Sequence, residues 1–145
     1  MSKVSTYLNF PHHTEEAFNF YKSVFGGEFT GGGVARFGDF PPAEGAPPLA
    51  EENKNLIMHI ELALPGGHLL MGTAAPESMG FHVNFGNNVY IMIDPDSRDE
   101  AKRLFDALSE GGKIEMGLND TCWGAYYGSC TDKFGIHWMF NCTAK

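Results

Sequence analysis

Apolar and polar positions along the chain follow two rhythms. Between residues 14 and 25, Phe18, Tyr21 and Phe25 recur at helical spacing with polar side chains between them. Between 97 and 109, Ala101, Leu104, Phe105 and Leu108 do the same. The first run opens on Thr14 as a capping hydroxyl, followed by Glu15 and Glu16, where the positive end of a helix dipole favours acids. Gly26-Gly27 stops it. The second opens on Ser97-Arg98-Asp99-Glu100, a capping box, and stops at Gly111-Gly112. Two amphipathic helices are predicted.

The other rhythm has period two or is short and continuous, and it predicts strands. One such run precedes each helix: Val4 to Phe10 and Asn88 to Asp94. Three follow the first helix, over Glu28 to Phe37, Asn55 to Leu64 and His68 to Ala74, the last two joined by Pro65-Gly66-Gly67. Three follow the second, over Lys113 to Leu118, Ala125 to Thr131 and Ile136 to Cys142, with Asp132-Lys133-Phe134-Gly135 as the corresponding turn.

The two halves repeat each other. Tyr7-Leu8-Asn9-Phe10, Glu16-Ala17 and Gly26-Gly27 match Tyr90-Ile91-Met92-Ile93, Glu100-Ala101 and Gly111-Gly112 at an offset of 83 to 85 residues. Two copies with so long a period make a duplicated βαβββ unit rather than a solenoid. Module 1 covers about 1–75, a joining segment 76–87, and module 2 about 88–145, together forming a single domain. The stretch from Gly38 to Glu52, rich in Pro and Ala, has no period and reads as a long loop, either mobile or folded over a cleft. In the joining segment, Phe81 and Phe85 suggest packing rather than a free linker.

Composition narrows the function classes. The 145 residues are 43% hydrophobic, with 12 Phe, enough to bury a core and exclude disorder. With 10 Lys+Arg against 18 Asp+Glu the net charge is −8, and no basic cluster offsets it. Binding to nucleic acid or to an anionic membrane surface needs the opposite sign, so both partners are excluded. No apolar run is long enough to span a bilayer, and the first residues lack the apolar core of a secretory signal. Three cysteines (Cys122, Cys130 and Cys142), with no CxxC pair, suit neither a disulfide framework nor structural zinc. Each reads as a small buried hydrophobe in a reduced, cytoplasmic protein.

The paired βαβββ pattern resembles the vicinal oxygen chelate superfamily of glyoxalases, extradiol dioxygenases and antibiotic-resistance proteins. Tyr7-Leu8-Asn9-Phe10, the segment from Glu16 to Tyr21, Met58-His59-Ile60-Glu61-Leu62, Asp120-Thr121-Cys122-Trp123-Gly124 and the run from Thr131 to Met139 are similar to its PhnB-like branch. The resemblance implies an α+β fold in which two βαβββ modules curve mostly antiparallel sheets into a cup, with two helices packed outside. It also implies a homodimer. Enzymes of the superfamily hold a divalent metal in the cup with His and Glu. Carried over by strand position, give or take one residue, those sites fall at Thr6, Val89, Met71 and Met139, none a ligand for a hard ion. No cofactor is therefore predicted at the customary positions. Some members carry a demethylubiquinone methyltransferase label. The turns into the helices here, Pro11-His12-His13 and Pro95-Asp96-Ser97, lack the GxG of a usual methyltransferase, and the label is not adopted.

Within that frame His59 and Glu61 stand out as catalytic candidates. Two residues apart on a strand, they share one face with Cα atoms roughly 6–7 Å apart, while Met58, Ile60, Leu62 and Leu64 take the other. The pair is either a general base or ligand with its orienting carboxylate, or a satisfied polar pair of the wall. Asn9 by strand parity, and Trp123, Tyr126 and His137 by their amphipathic tips, are candidate substrate contacts. The alternatives are a hydrogen-bonding wall residue for Asn9, core packing for Trp123 and an edge-strand surface histidine for His137. His12, His13 and His68 read as solvated, and Asp120 and Asp132 as turn-fixing residues. The function expected is binding of a small molecule in the cup. Lyase, isomerase or transferase chemistry is one reading, and non-catalytic, antibiotic-like sequestration is the other.

Overall fold

The computed structural model describes residues 2–145. The chain divides into two compact units, Met1–Val83 and Asn84–Lys145. The first holds β1 (Thr6–Phe10), α1 (Thr14–Phe25), β2 (Ala35–Arg36), β3 (Ile57–Ala63) and β4 (Leu69–Ala74). The second holds β5 (Ile91–Ile93), α2 (Arg98–Ser109), β6 (Lys113–Asp120), β7 (Tyr126–Thr131) and β8 (His137–Cys142). The sheets run β1-β4-β3-β2 and β5-β8-β7-β6, the same order in each unit. In both, the first strand pairs parallel with the last and the other neighbours are antiparallel. Each unit is thus a βαβββ module with one helix on one face of its sheet.

In the first unit Phe18, Tyr21 and Ala17 on α1 are fully buried against Phe10, Ile60, Leu62 and Leu70. Burying each large side chain is worth about 1.5–3 kcal/mol. The close fit requires Gly72 on β4. A methyl group there would stand 2.5 Å from Cε1 of the buried Phe18 ring. In the second unit Leu104, Phe105 and Leu108 on α2 meet Trp138, Phe140 and Cys130, with the Phe105 and Phe140 rings edge to face at 5.6 Å. The turn after β7 is tied by Asp132. One of its carboxylate oxygens accepts from the backbone N–H of Phe134 and Ile136, and the other from the buried Trp138 indole.

Several elements differ from the expectations. The run Glu28 to Phe37 forms only β2 and an isolated bridge from Phe29 to Leu62, because Gly31, Gly32 and Gly33 all take positive φ and turn the chain. The strand expected over Asn88 to Asp94 is limited to Ile91–Ile93. The helix α1 includes Thr14. His13 is the capping residue and gives no side-chain hydrogen bond, because the Thr14 hydroxyl donates to the Thr73 carbonyl of β4 instead. Ser97 caps α2 as expected, accepting from the Glu100 N–H. Met58 does not join Ile60, Leu62 and Leu64 in the core. The β2–β3 register shifts beside it, so Ile57 is buried and Met58 is half-buried. Phe85 lies against Gly135, yet Phe81 and Phe85 are both about half-exposed.

The cysteines divide. Cys130 and Cys142 are buried, but Cys122 is exposed in the β6–β7 connection, where no strand covers it. Burial pushes the Cys130 thiol up to about 12, with Asp132 and Glu115 adding to the shift, so it stays protonated and inert. Iodoacetamide at neutral pH is expected to modify Cys122 alone in the native protein and all three in urea, counted by intact mass.

Candidate functional site

In the first sheet the face away from α1 carries the polar residues. Strand pairing sets Tyr7, Met71 and Glu61 in one row across β1, β4 and β3, with Asn9 and Thr73 paired one step further along. Alternation along β3 puts His59 and Glu61 on this face while Ile60 and Leu62 point to the helix.

The His59 and Glu61 side chains are 2.9 Å apart, Nε2 to Oε1, and are 31% and 17% exposed. Nε2–H donates to the carboxylate, which leaves Nδ1 as the lone-pair nitrogen of the neutral ring. The Tyr7 hydroxyl donates to that nitrogen over a long 3.4 Å, with the rings 5.8 Å apart. The other Glu61 oxygen accepts from the Thr30 hydroxyl at 3.1 Å. Thr30 is held in place by its own N–H, which donates to the Glu61 carbonyl. Gly31, at φ +68°, lets the chain pass over the carboxylate, where a Cβ would stand 2.6 Å from Glu61 Cδ.

The hydrogen bond from His59, supported by that from Thr30, holds the Glu61 carboxyl below its ordinary range against the opposing effect of burial. A lowered carboxylate contributes stability above the ordinary carboxylate range of about 4, and loses it as pH falls through the lowered folded value. Wild type is therefore expected to exceed Glu61→Gln in urea midpoint near neutral pH, with the gap closing in acid.

The second sheet has a related cluster on its own open face. The Tyr90 hydroxyl donates to both Glu115 oxygens at 3.0 and 3.1 Å, which raises the tyrosine above its ordinary range. The His137 ring lies 5.1 Å from that of Tyr90, donates from Nε2 to the Gly86 carbonyl at 2.7 Å, and shares a 2.8 Å hydrogen bond between Nδ1 and Thr131. Both ring nitrogens are thus occupied by the protein. His137 is only 14% exposed and stands on β8, an inner strand, which corrects the edge-strand alternative.

The remaining candidates separate. Asn9 is exposed on the His59 face. Trp123 is 63% exposed, with its ring edge-on to Tyr127 at 5.8 Å and its indole N–H donating to Asn141 at 3.3 Å. Tyr126 alternates to the α2 side, beneath the Arg98 guanidinium at 4.8 Å, and so belongs to the helix packing. Asp120 pairs with Arg98 rather than fixing a turn. His68 is half-buried, its Nε2 bonded to the Thr6 hydroxyl at 2.8 Å. Five residues of these clusters, Tyr7, Thr30, Tyr90, Glu115 and Thr131, were not anticipated from sequence. Tyr7 shares Asn9's parity and was within reach of that argument. Thr30 and Glu115 come from the irregular segment before β2 and from the irregularly paired β6, where no simple alternation applies.

Metal-binding capacity follows from the donors. On the open face of the first unit the strand-end positions are Tyr7 and Met71, paired across β1 and β4. In the second unit the corresponding positions are Val89, beside Tyr90, and Met139 on β8. Phenol and thioether do not suit a hard divalent ion. Among the described residues no group of three or more His, Cys, Asp and Glu is arranged to hold a metal. The residues present do not fit the metal centre of the superfamily's enzymes.

Comparison with known proteins defines the class. The model of the glyoxalase/bleomycin resistance protein/dioxygenase superfamily matches residues 7–140, and the chain belongs to that superfamily. The chain is 31% identical over 143 residues to protein YjdN of Escherichia coli, covering 95% of this chain and 93% of that one. The solved structure of protein PA1353 from Pseudomonas aeruginosa is 33% identical, with full coverage of both chains and a TM-score of 0.80. The PhnB protein of Bacillus cereus shares the fold at 24% identity and TM-score 0.73, over 97% of this chain and 99% of that one. No helix among the described residues is long and apolar enough to cross a membrane.

Proposed function

We propose that the chain binds a small oxygenated molecule on the open face of its first sheet, with His59 as the proton-accepting group. The hydrogen-bonded row Thr30–Glu61–His59–Tyr7 supports this most strongly, because it leaves a basic nitrogen aimed at a long, easily displaced hydroxyl contact. Glu61 fixes the tautomer and stabilises the imidazolium that forms when Nδ1 takes a proton. For a hydroxy-ketone, the proton on the carbon beside the carbonyl passes to Nδ1 and its electron pair moves onto the carbonyl oxygen. The Tyr7 O–H, released from Nδ1, can donate to that oxygen. Each step uses side chains alone. Lyase or isomerase chemistry would continue from such an enolate, and a homodimer and a cytoplasmic location belong to the same proposal.

Non-catalytic sequestration is the second reading. Phenol and thioether at the superfamily's ligand positions, and the solvent-facing Trp123 indole, favour it. Hydroxyacetone in D₂O separates the two. Catalysis is expected to speed deuterium uptake at the carbon beside the carbonyl above the buffer rate, with the gain lost in His59→Ala, followed by proton NMR. Saturable binding of 4-nitrophenol without any such exchange would favour sequestration.

A further inference from the structure

We propose that the cleft beneath the Pro- and Ala-rich loop of the first unit is a second small-molecule site, for an uncharged aromatic or alicyclic compound with a single N–H or O–H donor. The cleft measures about 610 Å³, within the ~300–1,000 Å³ range of sites for small organic ligands. Its walls are mainly carbon, with Phe37, Phe40, Pro42, Pro47, Met58 and Met79 among them. Among the described residues Glu52, an acid, is the one charged side chain lining it, in a chain of net charge −8, so an anionic ligand is disfavoured.

The loop is held in shape without a ligand. Its ends are fastened to each other where Phe37 N–H donates to the Leu56 carbonyl and Gly38 N–H to the Lys54 carbonyl, at 3.1 and 2.9 Å. Gly38 permits that approach, since a Cβ there would stand 3.0 Å from Lys54. Four prolines, Pro41, Pro42, Pro47 and Pro48, restrict the span between, so little chain entropy remains to be lost on binding. The aromatic ring of Phe40 is nevertheless 50% exposed along this wall, apolar surface that a ligand would cover.

Asn53 supplies the polar anchor. The residue is only 4% exposed, yet it lines this cleft and the adjoining hollow of about 400 Å³. Its side-chain Nδ2 donates to Ser78 Oγ at 3.1 Å, the sole hydrogen bond of that side chain among the described residues. The amide oxygen has no protein donor among the described residues and stays open to solvent, so in a lining whose other polar side chains are Glu52 and Ser78 it can orient a ligand that donates to it. Met58 adjoins His59 in sequence, but it lines the cleft while His59 bonds Glu61 and Tyr7 on the open sheet face.

N-phenyl-1-naphthylamine, which is neutral, aromatic and carries one N–H, probes this site by its fluorescence. Titrated into the full-length chain, it is expected to saturate at one probe per chain with a Kd on the order of 10 μM. Met58→Trp and Met79→Trp, which fill the cleft, should each weaken binding about tenfold or more, and Asn53→Ala severalfold, while His59→Ala leaves it unchanged. Met79 stands on a half-exposed turn, so its variant still reads the site if Met58→Trp does not fold. Non-saturating fluorescence, unchanged affinity in folded cleft-filling variants, or loss of binding in His59→Ala would each overturn the proposal. The last result would place the probe on the sheet face.

Discussion

Removing the Asp132 carboxylate is expected to destabilise the protein by about 3–4 kcal/mol, the largest single-residue loss anticipated outside the apolar core. The donors that converge on it include the backbone N–H groups of Phe134 and Ile136 and the indole of Trp138, a fully buried side chain. In Asp132→Ala the buried indole N–H loses its acceptor, and the β7–β8 turn loses both of these side-chain ties. An unsatisfied buried donor alone costs about 1–3 kcal/mol. Asp132→Asn tests the geometry more finely. An amide has one acceptor end, so either Trp138 or the two backbone donors must face an NH₂ group, and an intermediate loss of about 1–2 kcal/mol is expected. Urea unfolding followed by tryptophan fluorescence measures both. A loss below about 1 kcal/mol in Asp132→Ala would mean that the carboxylate does not organise the turn.

His59→Ala is expected to weaken binding of 4-nitrophenol about 10- to 100-fold while lowering the urea midpoint near neutral pH only modestly, through loss of its hydrogen bond to Glu61. The site loses one charge-assisted hydrogen bond of about 1.5–3 kcal/mol, whereas the helix-facing core is untouched. Glu61→Gln should fall between His59→Ala and wild type, because the ring keeps its position but loses the carboxylate that stabilises its charged form. Tyr7→Phe should have the smallest effect of the three, consistent with the 3.4 Å separation of its hydroxyl from Nδ1. Isothermal titration calorimetry of the four proteins gives the order directly. Equal affinities across the series would remove this row of residues from the binding site.

Much of the architecture was legible because the signals were local. Helical spacing, flanking acids and paired glycines fixed α1 and α2 to within a residue or two, and the repeat predicted two βαβββ units, whose sheets have the same strand order. The His59–Glu61 contact was legible for the same reason, since alternation within one strand needs no knowledge of its neighbours. Features set by tertiary pairing were not. Thr30 looked like part of a strand, but three successive glycines turn the chain and bring its hydroxyl onto Glu61. Thr14 looked like a cap, yet β4 offered its hydroxyl a carbonyl acceptor. Tyr126 and Tyr127 are adjacent in sequence, and only the register of β7 against β8 decides that Tyr126 meets Arg98 on the helix side.

The central claim is that proton-accepting binding on the first sheet depends on His59 and needs no divalent ion. Nitrogen-15 NMR of the histidine rings, recorded with 4-nitrophenol in excess EDTA, tests it most directly. The expected spectrum of the free protein has His59 protonated at Nε2 and bare at Nδ1, with the Nδ1 resonance moving on addition of the phenol. A ring protonated at Nδ1 from the outset, or a resonance that moves only after a divalent metal is restored, would contradict the account.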